Sequence, residues 1–230
     1  MKNNFISDGW MALSKNWVDR TFLLENRYHS LLFNMGDRDQ KKMNGARDEL
    51  MNSVWGEATQ ADALSALTTC LSDPYHVIRC NAANILGSVA GKVDISTAYP
   101  ALALALSDSF ADTRINSSAA LLNAAQWSKH DLSPYLSEFG KALKDPEPAV
   151  RINSAWAIGF VAAKTSDISS IYSSLIETLD DPVPDARYFS ATALGAAANT
   201  GADISSAFQA LFLHLDDPND HAASNARWAL

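Results

Sequence analysis

The side chains that most often carry chemistry are few and widely spaced in this sequence. Its five histidines are His29, His76, His130, His214 and His221. Metal sites on helices use His pairs four residues apart or His beside Glu, and neither pattern occurs among them. Isolated histidines are usually surface or satisfied groups, so we expect no catalytic residue, no metal site and no cofactor. Cys70 and Cys80 are too few for a secreted disulfide scaffold and indicate reduced thiols, although a disulfide stays open if two helices bring them together.

A set of Asp and Arg residues recurs at regular intervals along the sequence, which a single catalytic or binding site would not require. Four times an Asp is followed six residues later by an Arg: Asp73 and Arg79, Asp108 and Arg114, Asp145 and Arg151, Asp181 and Arg187. Successive Asp residues lie 35, 37 and 36 positions apart, and Asp217 follows 36 positions further on. A period of this length is typical of a solenoid, in which a unit buries its apolar face only against its neighbours.

Each repeat is expected to begin with an amphipathic helix, here named helix A. Apolar residues spaced three and then four apart share one face of a helix. In the five repeats they are Leu64, Leu67, Leu71; Tyr99, Leu102, Leu106; Leu136, Phe139, Leu143; Tyr172, Leu175, Leu179; and Phe208, Leu211, Leu215. The loops before the last four carry Asp-Ile-Ser or Asp-Leu-Ser, in which either polar residue can cap the coming helix.

A second helix, named helix B, is expected to start at the Asp of each repeat. Asp is a favoured N-cap, and the Pro that follows it in all repeats but the second suits the first helical position. Helix B is rich in Ala and Ser, whose small side chains let neighbouring helices approach closely. Gly87, Gly159 and Gly195 lie fourteen residues after the Asp, where glycine can close a helix in the left-handed conformation.

Units of the form Asp-Pro-x-x-x-(Val/Ile)-Arg-x-Asn-x-Ala-x-x-(Ile/Leu)-Gly resemble HEAT repeats, most of all the short bacterial type also called PBS-lyase HEAT-like repeats. The resemblance covers residues 59–230 and implies an all-α fold, a right-handed superhelix of stacked helical hairpins. It also implies that the Asp and Arg residues form a structural ladder from repeat to repeat. Ala223 stands where the fifth Arg is expected, so the ladder should end or change there.

The two ends of the sequence depart from this pattern. Residues 1–58 lack the motif but predict two helices, from about Ser14 to Asn34 and from about Asp37 to Trp55, which we interpret as a degenerate pair that caps the repeats. The fifth repeat stops at Leu230, one residue before the position at which the other repeats have the glycine. Three explanations stay open: the sequence is a fragment of a longer solenoid, its last helical pair meets a partner subunit in a homodimer, or the stacking face of that pair is left exposed.

Helices B are expected to line the concave side of such a stack. The positions seven, eleven and fifteen residues after each Asp should point outward, and almost none is charged. Their large side chains are Ile115, Ile152, Trp156, Phe160, Tyr188 and Trp228. Large aromatic residues dominate the hot spots of protein interfaces, so these outward positions predict a site for a protein or peptide, with core packing as the equal alternative.

A row of asparagines lies eight residues after the Asp. It consists of Asn81, Asn116, Asn153 and Asn225, and Phe189 takes this place in the fourth repeat. The row resembles the arrangement by which armadillo solenoids hold a peptide backbone, but hydrogen bonds between repeats are the favoured interpretation. Asn153 and Phe189 complete the predicted partner-binding set, because the repeat that breaks the row marks where a ligand would lie.

Charge and hydropathy narrow the function. The sequence has 18 Lys and Arg against 26 Asp and Glu, a net charge of -8, which disfavours nucleic acid and favours basic partners. No segment is apolar enough to span a membrane and no signal peptide is evident, so we expect a cytoplasmic protein. The sequence predicts a non-enzymatic scaffold that binds a protein or peptide, in a narrower form an inhibitor or immunity protein. The resemblance leaves a chromophore lyase or chaperone-like enzyme of the phycobilisome lyase type as the alternative.

Overall fold

The computed structural model describes residues 27–164 and 167–230, and all of their regular secondary structure is helical. The predicted all-α fold is confirmed. The chain divides into two compact units, Met1–Ala82 and Ala83–Leu230. This division falls inside a helix, whereas the start of the repeat motif after residue 58 stays a prediction. In the described ranges, no helix has the length and apolarity needed to cross a membrane.

In the part that the structure describes, residues 27–82, the first unit contains three helices and the start of a fourth. Helix α1 is described over residues 27–34, and α2 (Gln40–Trp55), α3 (Gln60–Cys70) and the beginning of α4 (His76–Val89) follow. The part of the first predicted helix before residue 27 lies outside the described residues. Helix α2 starts at Gln40 rather than at Asp37, because the carboxylate of Asp39 accepts a hydrogen bond from the backbone nitrogen of Lys41 at 2.9 Å and caps the helix.

The second unit is a series of helical pairs. It contains α5 (Tyr99–Ala105), α6 (Ala111–Trp127), α7 (Leu136–Ala142), α8 (Pro148–Lys164), α9 (Tyr172–Thr178), α10 (Pro184–Asn199), α11 (Phe208–Leu213) and α12 (Asp220–Ala229). Each odd-numbered helix A packs on the helix B that follows it, and helices α6, α8, α10 and α12 contact one another in succession. The B helices therefore form one continuous layer.

The predicted face of helix A is buried in the first four repeats, which confirms the pattern that identified it. In the last repeat Leu211 is buried, but Phe208 is 48% exposed and Leu215 is half-buried. A short 3-10 turn precedes helices α5, α7, α9 and α11. The Asp of the preceding loop forms a turn before it: the Asp94 carboxylate accepts from the backbone nitrogen of Ser96 at 2.9 Å, and the three later loops repeat this bond. No side chain of the described residues caps the 3-10 turns themselves, so the predicted capping by these loops is wrong.

Helix B does not start at the repeated Asp, so that prediction is wrong. The B helices begin three residues later, at His76, Ala111, Pro148, Pro184 and Asp220. The Asp forms a turn instead: Oδ1 of Asp145 accepts from the backbone nitrogen of Glu147 at 2.8 Å. The carboxylate is thereby held in the loop, where the preceding repeat can reach it, and in the last repeat Asn219 caps α12.

The glycines at position fourteen do not close their helices either. Gly87, Gly159 and Gly195 lie within α4, α8 and α10, and in the described part of the chain only Gly201, with φ of 88°, has a positive φ. A Cβ on Gly87 would lie 3.2 Å from the Cα of Ala120 in the next helix B. A side chain at Gly87 would therefore require the next B helix to shift slightly, and one at Gly195 would overlap the ring of Trp228.

Candidate partner-binding site

The ladder arginines of the second unit join successive repeats. Arg151 donates from Nε and Nη2 to the two carboxylate oxygens of Asp181, at 2.6 and 2.9 Å. Its Nη1 donates to the backbone carbonyl of Asp145, in its own repeat, at 2.9 Å. The same three bonds connect Arg114 to Asp145 and Asp108, and Arg187 to Asp217 and Asp181. These side chains are at most 12% exposed, so the ladder is part of the packed structure and offers no free charge to a ligand.

In the first unit a histidine takes part in the ladder. Arg79 donates from Nη1 to the carbonyl oxygen of Asp73 at 2.8 Å, as the later arginines do within their own repeats. The carboxylate of Asp73 pairs with Nε2 of His29 at 2.9 Å, where Asp145, Asp181 and Asp217 each pair with an arginine. Sequence reasoning did not identify His29, although its place in the degenerate pair before the first Asp was a usable signal.

The asparagine row is used between repeats. Nδ2 of Asn153 donates to Oγ of Ser118 in the preceding helix B at 3.0 Å, and Nδ2 of Asn225 donates to Oγ1 of Thr192. Within the first unit, Nδ2 of Asn81 donates to the carbonyl oxygen of Leu32 at 2.8 Å. These bonds agree with the favoured interpretation of the row. One of the two N–H donors of Asn153 is therefore engaged within the stack of repeats.

The outward positions of helix B lie at the surface and not in the core. Trp156 is 36% exposed and Trp228 is 51% exposed. The remaining large side chains are half-buried: Ile115, Ile152, Phe160, Tyr188 and Phe189. None of these side chains is fully buried, although five of them are partly covered by their neighbours.

Four of the predicted residues form a continuous aromatic cluster. The rings of Trp156 in α8 and Phe189 in α10 are stacked, with centroids 4.6 Å apart and an interplanar angle of 14°. Phe160 also stacks on Trp156, with centroids 6.2 Å apart and an interplanar angle of 27°. Tyr188 meets Phe189 edge to face, at 4.7 Å and 79°. We call Phe160, Trp156, Phe189 and Tyr188 the aromatic cluster.

One histidine extends the cluster towards the last repeat. His221 in α12 meets the ring of Tyr188 edge to face, with centroids 6.4 Å apart. Compared only with the other histidines, His221 is isolated, because none of them lies within one helical turn of it in the sequence. Its position relative to the repeat carried the missed signal: His221 lies four residues after its Asp and Tyr188 seven after its own, so the two project from the same side of adjacent helices.

Trp228 lies apart from the cluster, although it occupies the same position of the repeat as Trp156. Within residues 27–164 and 167–230 it makes no ring contact, and its indole covers Gly195 of the preceding helix B, where an added Cβ would overlap the ring. In the helix B that precedes Trp156, the residue equivalent to Gly195 is Leu122, which is buried. The indole of Trp156 has no glycine to cover and stacks on Phe189 instead.

The described residues contain no group of three or more His, Cys, Asp or Glu side chains arranged to hold a metal ion. Cys70 and Cys80 do not form a disulfide with each other, and Cys70 is buried. The arrangement that stands out chemically is the exposed aromatic surface of α8 and α10.

No protein-family model matches this sequence, and no curated protein matches it significantly. Solved structures do match. The designed armadillo repeat protein YIII(Dq)4CqI is 22% identical with a TM-score of 0.64, and the match covers 88% of this chain and 98% of the other. A computationally designed armadillo repeat protein for modular peptide recognition is 21% identical with a TM-score of 0.66, covering 87% and 97%.

A third match is the designed armadillo repeat protein YIII(Dq.V1)4CPAF in complex with peptide (KR)4. It is 20% identical with a TM-score of 0.64, over 87% of this chain and 97% of the other. Identities this low carry information on the fold alone. The chain has the fold of an armadillo-like solenoid of helical repeats, in agreement with the HEAT-like repeats that its sequence resembles.

Proposed function

We propose that this protein is a non-enzymatic scaffold that binds a segment of another protein on the exposed face of helices α8, α10 and α12. The stack of Trp156 on Phe189 is the observation that carries the proposal. It joins two repeats, yet Trp156 remains 36% exposed. Rings that are already fixed against one another lose little conformational entropy when a ligand covers them, so they gain more from the apolar area that binding buries.

The rest of the protein fits this role. The similar structures are repeat scaffolds, and one of them is described as a complex with a peptide. The Asp and Arg ladder and the asparagine bonds hold the B helices in register, so that side chains from different repeats reach a common surface. A rigid layer of this kind suits the binding of an extended partner.

A narrower form of the proposal makes the protein an inhibitor or immunity protein for a basic partner. Its support is the net charge of -8, which would speed association with a positively charged domain. Co-expression with a candidate basic toxin domain tests this form. Growth that is restored by the wild-type protein and lost with Trp156→Ala is expected, and growth restored equally by both would contradict a role of the aromatic cluster.

Selection of peptides tests the broader proposal and does not require the natural partner. Peptides from a random phage-displayed library are selected on the wild-type protein, and their affinities are measured by fluorescence anisotropy. We expect Trp156→Ala and Tyr188→Ala each to weaken binding about tenfold or more, because each removes a central aromatic contact.

Phe212→Ala is the matched control. Phe212 is 67% exposed on α11, a helix A, so its loss removes a similar apolar area from a different surface. Circular dichroism and thermal unfolding show whether each variant keeps its helical content. Selected peptides that bind the wild type, Trp156→Ala and Tyr188→Ala with equal affinity would overturn the proposed site.

A further inference from the structure

We infer that a cleft between the A helices α7 and α9 is a binding site for a phosphate monoester. The cleft has a volume of about 420 Å³, within the range of about 300–1,000 Å³ that is usual for small-molecule sites. It lies on helices A, whereas the proposed partner-binding surface lies on helices B. The inference therefore goes beyond the proposed function and does not depend on it.

The polar groups that line the cleft are positive charges and hydroxyl groups. Lys141 lies in the last turn of α7 and Lys144 in the turn that follows, and the hydroxyl groups belong to Ser137, Ser170 and Ser174. Among the described residues, these hydroxyl groups have no hydrogen-bond partner and Lys141 has no ion pair. No carboxylate of the described chain lines the cleft. The donors of the cleft are therefore available to an anion.

The second lysine is held by an exposed ion pair. Nζ of Lys144 lies 2.6 Å from Oε2 of Glu177, and both side chains are exposed. Such a pair contributes little to stability, because water and salt screen it. A phosphate with more negative charge than one carboxylate can therefore compete with Glu177 for this ammonium group.

Three departures from the repeat coincide at this cleft. At the position of Gly140 in α7 the other repeats have Thr, Ala, Ile or Phe, and at the positions of Lys141 and Lys144 no other repeat has a basic residue. At the position of Ser174 three of the other repeats have Ala and one has Glu. Glycine is unfavourable inside a helix, and the repeat pattern requires none of these residues. All four of them line the same cleft.

A phosphate monoester matches these groups in charge and in size. At pH 7 it carries a charge of about -1.5 to -2 and three acceptor oxygens, which suit two ammonium groups and several hydroxyl donors. Beside the polar groups, the buried Ile171 and the backbone of Gly140 offer an apolar floor to the organic part of the ester. The net charge of -8 opposes anions that lack such local contacts.

Titration of the isotope-labelled protein, followed by nuclear magnetic resonance, tests the site at constant ionic strength. The ligands are glycerol 3-phosphate and a neutral peptide with one phosphoserine, each compared with its unphosphorylated form. We expect the amide signals of residues 140–144 and 170–174 to shift only with the phosphorylated forms. Tighter binding of the phosphopeptide would support a partner protein as the source of the phosphate, and tighter binding of glycerol 3-phosphate a small molecule.

Two substitutions should change the affinity for the phosphorylated ligand in opposite directions. Lys141→Gln is expected to weaken binding about fivefold or more, because it removes the unpaired ammonium group. Glu177→Gln is expected to tighten binding about twofold or more, because it releases Lys144 from its pair. Lys129→Gln is the matched control, since Lys129 is an exposed lysine that does not line the cleft.

Equal weakening by Lys141→Gln and Lys129→Gln would mean that the phosphate meets only scattered surface charge, and this would remove the site. Amide shifts outside the cleft alone, or glycerol bound as tightly as its phosphate, would also contradict it. Circular dichroism of each variant shows whether the helices are retained. None of these outcomes bears on the aromatic cluster, which the peptide selection tests separately.

Discussion

Each ladder arginine serves two repeats through different nitrogen atoms. Nη1 of Arg187 holds the carbonyl of Asp181, while Nε and Nη2 hold both oxygens of Asp217 at 2.7 Å. The planar fork of a guanidinium can make all three bonds at once, whereas the single ammonium of lysine cannot. The hydrogen bond from Arg187 lowers the pKa of Asp217, whose side chain is only 2% exposed.

The lowered pKa of Asp217 predicts a contribution to stability that depends on pH. A carboxylate with a depressed pKa in the folded state stabilises the fold above its unfolded pKa, near 3.9, and this contribution is lost as the pH falls through the lower folded value. Asp217→Asn should lower the free energy of unfolding by about 3 kcal/mol at pH 7, because Arg187 loses its counter-charge. The gap between variant and wild type should shrink below about pH 4.

Urea unfolding at several pH values between 7 and 2 measures this gap. Asp216→Asn, which changes a fully exposed neighbouring carboxylate, should follow the wild type at every pH. A gap for Asp217→Asn that stays constant down to pH 2 would show that the paired carboxylate is not the source of the difference.

The B helices are held close at positions where one of them has no side chain. Gly87 faces the backbone of Ala120, and Gly195 lies beneath the ring of Trp228. At Gly159 the next helix is less close, since an added Cβ would lie 3.8 Å from the Cα of Ala193. The glycine at position fourteen of the repeat is thus approached to a different extent in each of the three repeats, depending on the residue that faces it from the following helix.

Gly195→Ala tests this packing and is expected to destabilise the protein by about 1–3 kcal/mol, because its Cβ would overlap Trp228. In a protein that already carries Trp228→Ala, the cost should be smaller, because the ring is gone and the added Cβ then meets only the Cα of Ala229, at 3.2 Å. Alanine is also a better helix former than glycine by up to about 1 kcal/mol, which offsets part of the remaining crowding. Thermal and denaturant unfolding of the two single variants and the double variant give the coupling energy. Additive effects would mean that Trp228 moves aside at no cost.

At the scale of the molecule, contacts between repeats are contacts between neighbours. In the second unit α8 packs on α6 and α10, and its ladder residue Arg151 bonds only to Asp145, Pro146 and Asp181 among described residues. The stability of such an array is close to a sum of repeat and interface contributions, so a perturbation in one repeat should stay local.

Arg151→Met should therefore weaken one stretch of the protein. Loss of a buried pair partner costs about 3 kcal/mol, which would speed amide exchange in α8 and α10 about 100-fold. Helices α2 and α3 should keep their protection. Hydrogen exchange followed by mass spectrometry measures both. Lys144→Met, which breaks the exposed pair with Glu177, is the control expected to change little. Faster exchange throughout the chain would contradict the local model.

Features of the fold could be predicted from the sequence where they depend on residues close together in the chain. The buried face of helix A depends on residues close in sequence, and that prediction holds. The repeated Asp and Gly195 instead meet a side chain of the adjacent repeat, and their predicted roles as N-cap and as helix end were wrong. The stack of Trp156 on Phe189 is of the second kind. Phe189 was recognisable as an exception, but its partner was visible only in three dimensions.

The direction of the ladder has a consequence for synthesis on the ribosome. Arg114, Arg151 and Arg187 each find their carboxylate about 30 residues towards the C-terminus, at Asp145, Asp181 and Asp217. While the chain is being made, each of these three guanidinium groups therefore lacks its carboxylate until the following Asp has been translated. Pairing with that Asp neutralises the charge and links the new repeat to the one before it. Each of these three repeats thus completes its ladder contacts only with the repeat translated after it.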